Sequence, residues 1–201
     1  MSAPIVHLPM RFDVAALQAD VAAFESSDWI AHFNQHYYEG DWSGIALRAV
    51  AGAAVALFPN PDATTNFVDT PAMVRAPAVK AVLDALACET TSVRFLKLGA
   101  GATIRRHRDY DLGLEDGEIR LHLPIHTNPN VEFLLDDQRV DLREGELWYL
   151  NFNLYHSVHN RSEIDRIHLV IDCIVNPWLL SLFAEAGAFN SEMNQSVHPR
   201  G

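Results

Sequence analysis

The sequence predicts a mainly β protein, a sandwich or barrel of short strands with helices at its N-terminal and C-terminal sides. Three observations lead there. From residue 92 onward, short apolar or alternating segments follow one another closely, broken by Gly, Asn, Asp or Pro; this is the spacing of sandwiches and barrels, not of βαβ units. Two segments alternate clearly. In 118–127, Ile119, Leu121, Leu123 and Ile125 interleave with Arg120, His122 and His126, and in 166–175, Ile167, Leu169 and Ile171 interleave with Arg166, His168 and Asp172. Successive strand side chains point to opposite faces, so each strand has one apolar and one polar face. Finally, helices are predicted at both ends. They can cover the apolar face while the polar rows line a pocket.

The elements follow in order. A helix fits 13–25, with Asp13 as cap and Val14, Leu17, Val21 and Phe24 at helical spacing. An aromatic and polar stretch runs from His32 to Trp42, with Gly40 as a breaker. Residues 44–58 read as two apolar strands turning near Gly52, and 59–70, rich in Pro, Asn, Asp and Thr, as loop. A second helix fits 78–87, with Val79, Val82, Leu83 and Leu86 on one side. The strands predicted next are 92–98, 102–109, 118–127, 131–135, 138–142, 146–151, 154–160 and 166–175. Asn176-Pro177 then opens a helix from Trp178 to Ala186 that Gly187 stops, leaving a polar tail from Phe189. No repeat, linker or low-complexity tract interrupts this order. The expectation is one domain over 1–201, with a β core at about 92–175, an N-terminal part at 1–91 and a C-terminal helix at about 177–187.

Composition narrows the partners. The 201 residues carry 15 Lys and Arg against 26 Asp and Glu, a formal charge of −11. That balance argues against nucleic acid or an anionic membrane, both of which select clustered cations. No apolar run approaches the ~20 residues of a spanning helix. Met1-Ser2-Ala3-Pro4 begins no secretory pattern, and Cys88 and Cys173 form no CxxC, so a cytoplasmic setting is expected. Ten histidines in so acidic a chain call for a separate explanation.

Six of them, His107, His122, His126, His156, His159 and His168, fall between 107 and 168. The sharpest piece is His107-Arg108-Asp109, because residues i and i+2 of a strand share a face. A distal histidine would complete two imidazoles and one carboxylate, a set that occupies one face of a metal and is the signature of non-haem Fe(II) oxygenases. His156 and His159 are both available. His156 is favoured, because it lies 11 residues after Gly145 in a segment close to the second motif of cupin-like barrels, with Asn151 and Asn153 in place of the usual Pro and Gly. It also precedes Arg166 by ten residues. An arginine one strand beyond the distal histidine can grip a carboxylate bidentately, which a dioxygenase using 2-oxoglutarate needs. His-Arg-Asp also occurs in the protein-kinase catalytic loop, but no Gly-rich loop or DFG accompanies it here.

Residues 92–175 resemble the aspartyl/asparaginyl β-hydroxylase family of 2-oxoglutarate dioxygenases, in particular its free-standing bacterial members similar to proline cis-4-hydroxylase. The segments that carry the resemblance are Leu98 to Tyr110 around His107-Arg-Asp109, Ile119 to Pro124, Gly145 to Asn151, His156 to Asn160, and Arg166 to Asp172. The resemblance implies a double-stranded β-helix, a cupin-like jelly-roll with helices outside its larger sheet. It implies Fe(II) held by His107, Asp109 and His156. It also implies 2-oxoglutarate gripped by Arg166, with Arg120 and His122 at its other end, and O2 as the oxidant. Trp42, Arg48 and Tyr110 are the candidate substrate contacts. Asn160 and His159 are the candidates to orient the imidazoles from behind. The partner expected is a small amino acid, another small carboxylic acid or a peptide Asp/Asn-type side chain. The expected pocket is locally positive. Two other readings stand beside this one: a cupin-type metalloenzyme that does not use 2-oxoglutarate, and a non-catalytic ligand-sensing barrel. Arg166 and Arg120 are needed only by the first reading.

Overall fold

The computed structural model describes residues 3–51 and 66–189. In chain order its strands are β1 (Ile5–Arg11), β2 (Ile30–Ala31), β3 (Tyr38–Glu39), β4 (Trp42–Val50), β5 (Phe67–Asp69), β6 (Thr90–Leu98), β7 (Thr103–His107), β8 (Glu118–His126), β9 (Val131–Leu135), β10 (Gln138–Arg139), β11 (Glu146–Leu150), β12 (His156–Asn160) and β13 (Arg166–Ile174). The helices are α1 (Val14–Ala22), α2 (Pro77–Ala85) and α3 (Pro177–Glu185), with short 3-10 turns between strands.

Two antiparallel sheets form. The larger runs β1-β11-β8-β13-β6-β4-β2, with β5 on β4, and the smaller runs β10-β9-β12-β7-β3. Each has one face toward the other. The outer face of the larger sheet carries Phe95, Ile119, Leu121, Leu123, Leu169 and Ile171, buried under Leu17 and Val21 of α1, Val79 and Leu83 of α2, and Leu179 and Phe183 of α3. A second apolar cluster between the sheets includes Leu98, Ile104, Phe133, Leu150, Phe152 and Val158. The helices therefore cover the apolar rows of β8 and β13, and the polar rows turn inward. Helix starts follow their caps: the Asp13 side chain accepts from the Ala16 amide at 3.1 Å, and the Asn176 side chain accepts from the Leu179 amide at 2.9 Å.

Several boundaries differ from expectation. The first helix ends at Ala22, and a 3-10 turn, Ser26–Asp28, follows it. β1 has no counterpart in the sequence reading. Pro9 interrupts its apolar run and argues against a central strand, but β1 is an edge strand, where a missing amide is tolerated. The segment 138–142 is a strand only over Gln138–Arg139. The second strand expected before residue 58, and the turn at Gly52, lie outside the described residues. Among the described residues no helix is long and apolar enough to cross a membrane.

Candidate metal centre

His107 closes β7 and His156 opens β12. The strands are antiparallel neighbours, and the two histidines are register partners, so their rings meet with centroids 4.2 Å apart. Asp109 lies two residues past the end of β7 and is fixed by its own amide, which donates to the Phe152 carbonyl at 3.0 Å. Its Oδ1 is 3.8 Å from His107 Nε2. One ligand atom from each of His107, Asp109 and His156 lies within 4.8 Å of the others.

The imidazoles are oriented by nearby backbone. His107 Nδ1 is 2.7 Å from the Arg105 carbonyl, and His156 Nδ1 is 3.2 Å from the Leu154 carbonyl. A carbonyl can only accept, so both Nδ1 atoms carry a proton, and in the neutral ring Nε2 is the atom that offers a lone pair. Burial pushes His156 down to about 4, and the neighbouring His107 adds to this. At neutral pH it is the neutral imidazole that a metal requires. Two nitrogen lone pairs and a carboxylate, with no thiolate among them, suit a divalent iron-type cation.

These groups open on a cavity of about 710 Å³ between the sheets, which Arg94, Arg120, His122 and Arg166 also line. Arg166 is 2% exposed and has no carboxylate partner among the described residues. Its Nη2 donates to His168 Nδ1 at 2.8 Å, and its Nε has no partner. Burial brings its pKa down to about 9. Since Nδ1 of His168 accepts, Nε2 carries the proton of that neutral ring, and this buried N–H is also unpartnered. His122 Nδ1 faces the same acceptor at 3.2 Å and must donate, which leaves its Nε2 as an unpartnered acceptor. Burial, with Arg166 alongside, holds both imidazoles well below the ordinary histidine value. Buried polar groups rarely go unpaired, and the unpartnered Nε–H of this bare guanidinium at the cavity wall fits a carboxylate.

The other arginines are occupied. Arg120 donates Nε and Nη2 to the two oxygens of Asp172 at 2.7 and 3.0 Å, and Nη1 to Asp109 Oδ2 at 2.6 Å. Arg94 Nη2 donates to Asp172 Oδ2 at 3.1 Å. Burial alone would raise the Asp172 carboxyl, but the two guanidiniums hold it below its ordinary value. The cavity lining therefore holds four arginines (94, 108, 120 and 166) and four carboxylates (109, 111, 118 and 172). The expectation of a locally positive pocket counted the metal; the side chains alone balance, and the buried cation without an acid partner among the described residues is Arg166.

The remaining candidates divide. Trp42 and Tyr110 line the cavity. The Trp42 ring stacks on His32 at 3.6 Å, and Tyr110 is exposed at the mouth beneath the Arg108 guanidinium. Arg48 does not line it; Asp69 Oδ1 holds its Nε at 2.8 Å and Thr90 Oγ1 its Nη1 at 2.5 Å. His159 and Asn160 do not orient the imidazoles. His159 stands three residues from His156, on the opposite strand face, 3.3 Å from Thr103 Oγ1. The Asn160 amide ties together the carbonyls of Leu98, Gly99 and Ile164. Sequence reasoning missed Arg94, although its signal was present: Ser92 and Arg94 alternate with Val93 and Phe95. It also missed His32 and Tyr37, which reach the site from an irregular segment with no period to read. Tyr37 stacks on His107 with centroids 5.0 Å apart.

A family model described as Aspartyl/Asparaginyl beta-hydroxylase matches residues 11–176. The chain belongs to this family. Among the curated proteins this chain resembles, the L-proline cis-4-hydroxylase of Rhizobium meliloti (strain 1021) is 28% identical over 169 residues, covering 81% of this chain. The match takes in 58% of that enzyme's length. Two solved structures share the fold. One is the non-haem alpha-ketoglutarate-dependent carbocyclase SnoK from nogalamycin biosynthesis, with a TM-score of 0.57, 12% identity, and coverage of 86% of this chain and 80% of that one. The other is an oxidoreductase of the 2OG-Fe(II) oxygenase family from Burkholderia pseudomallei, with a TM-score of 0.57, 14% identity, and coverage of 85% and 84%. The expected jelly-roll is thus the fold of this β-hydroxylase-family chain.

Proposed function

We propose that this protein is an Fe(II)- and 2-oxoglutarate-dependent dioxygenase that hydroxylates an unactivated carbon of a small amino acid. The observation that carries the reading is the pairing, in one cavity, of two lone-pair imidazoles and a carboxylate with a buried arginine that has no acid partner. A metal-binding barrel that does not use 2-oxoglutarate has no need of that arginine. The name of the Rhizobium relative favours a free amino acid of the proline type over a peptide side chain. The setting proposed is intracellular, with no nucleic-acid or membrane partner.

His107, Asp109 and His156 would hold the metal, and Arg166 would bind one carboxylate of 2-oxoglutarate through its fork of donors. Iron, 2-oxoglutarate and O2 together would supply the oxidising power that replaces a C–H bond by C–OH, with succinate and CO2 as co-products. The chain contributes position and dryness. Phe133 and Phe152 wall the inner cavity, and Trp42 and Tyr37 cover His107 from the outer side. None of the three ligands serves as an acid or base, because each lone pair or charge is committed to the metal.

The test is a screen of free amino acids, small acids and peptides for succinate release, with Fe(II) and 2-oxoglutarate supplied. Succinate that depends on both additions and rises with one substrate class supports the reading. Metal that binds while 2-oxoglutarate neither binds nor turns over would move the chain to the cupin-type alternative.

A further inference from the structure

The resemblance to 2-oxoglutarate dioxygenases places Arg120 against the cosubstrate. The geometry points to a different role, and we propose that Asp172 and Arg120 form a positioning relay for the metal-binding carboxylate. In this relay, Asp172 clamps Arg120, and Arg120 fixes one oxygen of Asp109 so that only the other is offered to the metal. The proposal rests on the reading of His107, Asp109 and His156 as the metal site.

Three donors of Arg120 are assigned to carboxylate oxygens. Nε and Nη2 engage Asp172 in the bidentate arrangement, and Nη1 engages Asp109 Oδ2. Arg120 and Asp172 are register partners on adjacent strands β8 and β13, so the clamp is built into the centre of the larger sheet. Arg94 Nη2 meets Asp172 from β6 on the far side of β13 and holds it in turn. Asp109 has no strand to hold it, since it lies past the end of β7. Among the described residues its other side-chain neighbour, besides Arg120, is the His107 ring, 3.8 Å from Oδ1. Because Oδ2 is spent on the guanidinium, Oδ1, the oxygen 3.8 Å from His107 Nε2, is the one free to ligate. A carboxylate kept to one oxygen leaves a coordination position for other ligands.

Charge and geometry can be separated by the choice of substitution. Arg120→Lys keeps the positive charge beside the metal but cannot clamp two carboxylates at once, because an ammonium has no planar fork. Asp172→Asn keeps the shape of Asp172 but removes the charge that aims Arg120. Groups that orient metal ligands typically contribute about 10–100-fold to metal affinity.

The experiment titrates the full chain with Co(II) and records both affinity and the visible d–d spectrum, with no turnover required. It then measures 2-oxoglutarate binding at saturating Co(II). Thermal melting confirms that each variant is folded. Expected for Arg120→Lys is Co(II) affinity weaker by about 10-fold or more, with an altered d–d spectrum. Its 2-oxoglutarate affinity should stay near that of wild type, and its melting temperature should fall because the buried clamp on Asp172 is weakened, with a single cooperative melt showing that it is folded. Asp172→Asn should move the spectrum in the same direction. If Arg120→Lys leaves Co(II) affinity and spectrum unchanged but weakens 2-oxoglutarate binding, Arg120 contacts the cosubstrate and the relay is wrong. Should Asp172→Asn fail to fold, Arg120→Lys alone decides. Wild-type protein that binds no Co(II) would overturn the metal-site reading, and the relay with it.

Discussion

Replacing Arg166 with methionine should make the ligand-free protein more stable and unable to bind 2-oxoglutarate. Burial brings the Arg166 pKa down to about 9, a drop of roughly 3.5 pH units from an ordinary arginine, each worth about 1.4 kcal/mol. Holding this cation in the core without an anion therefore costs on the order of 5 kcal/mol. The variant forfeits the charged hydrogen bond to His168, worth ~1.5–3 kcal/mol. The balance favours the variant by about 2–3 kcal/mol, and for a chain of this size each kcal/mol moves the melting temperature by ~2–4 °C. A rise of about 5–10 °C is expected without ligand. Binding moves the opposite way. Losing a bidentate, charge-assisted contact of ~3 kcal/mol or more weakens 2-oxoglutarate at least about 100-fold. Thermal melts with and without Mn(II) plus 2-oxoglutarate measure both effects, the wild type gaining stability from the pair and the variant gaining none from 2-oxoglutarate. A variant that melts lower without ligand, yet binds 2-oxoglutarate as wild type does, would refute the assignment of Arg166.

His156→Ala should abolish stoichiometric metal binding, whereas His159→Ala should leave it intact, because His159 sits on the other strand face against Thr103; metal content after gel filtration distinguishes them. The melting temperature should fall as pH drops from about 6.5 toward 4. Burial first, then neighbouring positive charge, keeps the folded His32 and His156 neutral down to about 4, while the unfolded chain takes up protons from about 6.5; a flat profile across that window would contradict the neutral assignments. Gly145→Ala should destabilise by at least ~1–2 kcal/mol from its left-handed backbone alone. Its φ is +78°, and an added Cβ would also stand 2.8 Å from the Phe12 carbonyl oxygen. A lower urea midpoint at unchanged slope is the expected readout.

The sequence made the β core legible because both faces of β8 and β13 are buried for different reasons. Helices cover Leu121 and Leu169, and the cavity takes Arg120 and Asp172, so a strict two-residue period survives in the residues themselves. His107, Asp109 and His156 were readable as a set because metal chemistry constrains residue types as tightly as packing does. What escaped lacked such a constraint. β1 hides behind Pro9, whose missing amide matters little at an edge. His32 and Tyr37 come from turns, where no period forms. The partners that orient the imidazoles are the carbonyls of Arg105 and Leu154, and a backbone carbonyl leaves no mark on the residue type.

Register then explains why one cation stands apart. β8 and β13 pair so that Asp172 lies opposite Arg120, and His168 lies diagonal to His122, whose direct partner is Val170. Cross-strand neighbours at these positions are within reach of each other, so Arg120 finds Asp172 and the two imidazoles find each other. At the start of β13 the pairing with β8 shifts between Ile167 and His168, and Arg166 is left opposite Leu98 of β6. It has no polar partner across either strand except the His168 ring on its own. The sheet pairs Arg94, Arg120 and Asp172 from within and leaves Arg166 as a buried cation without an acid among the described residues, and such local exceptions mark function. Moving an acid to residue 98 would complete the pairing: Leu98→Asp should neutralise Arg166 in place and eliminate 2-oxoglutarate binding without touching any metal ligand.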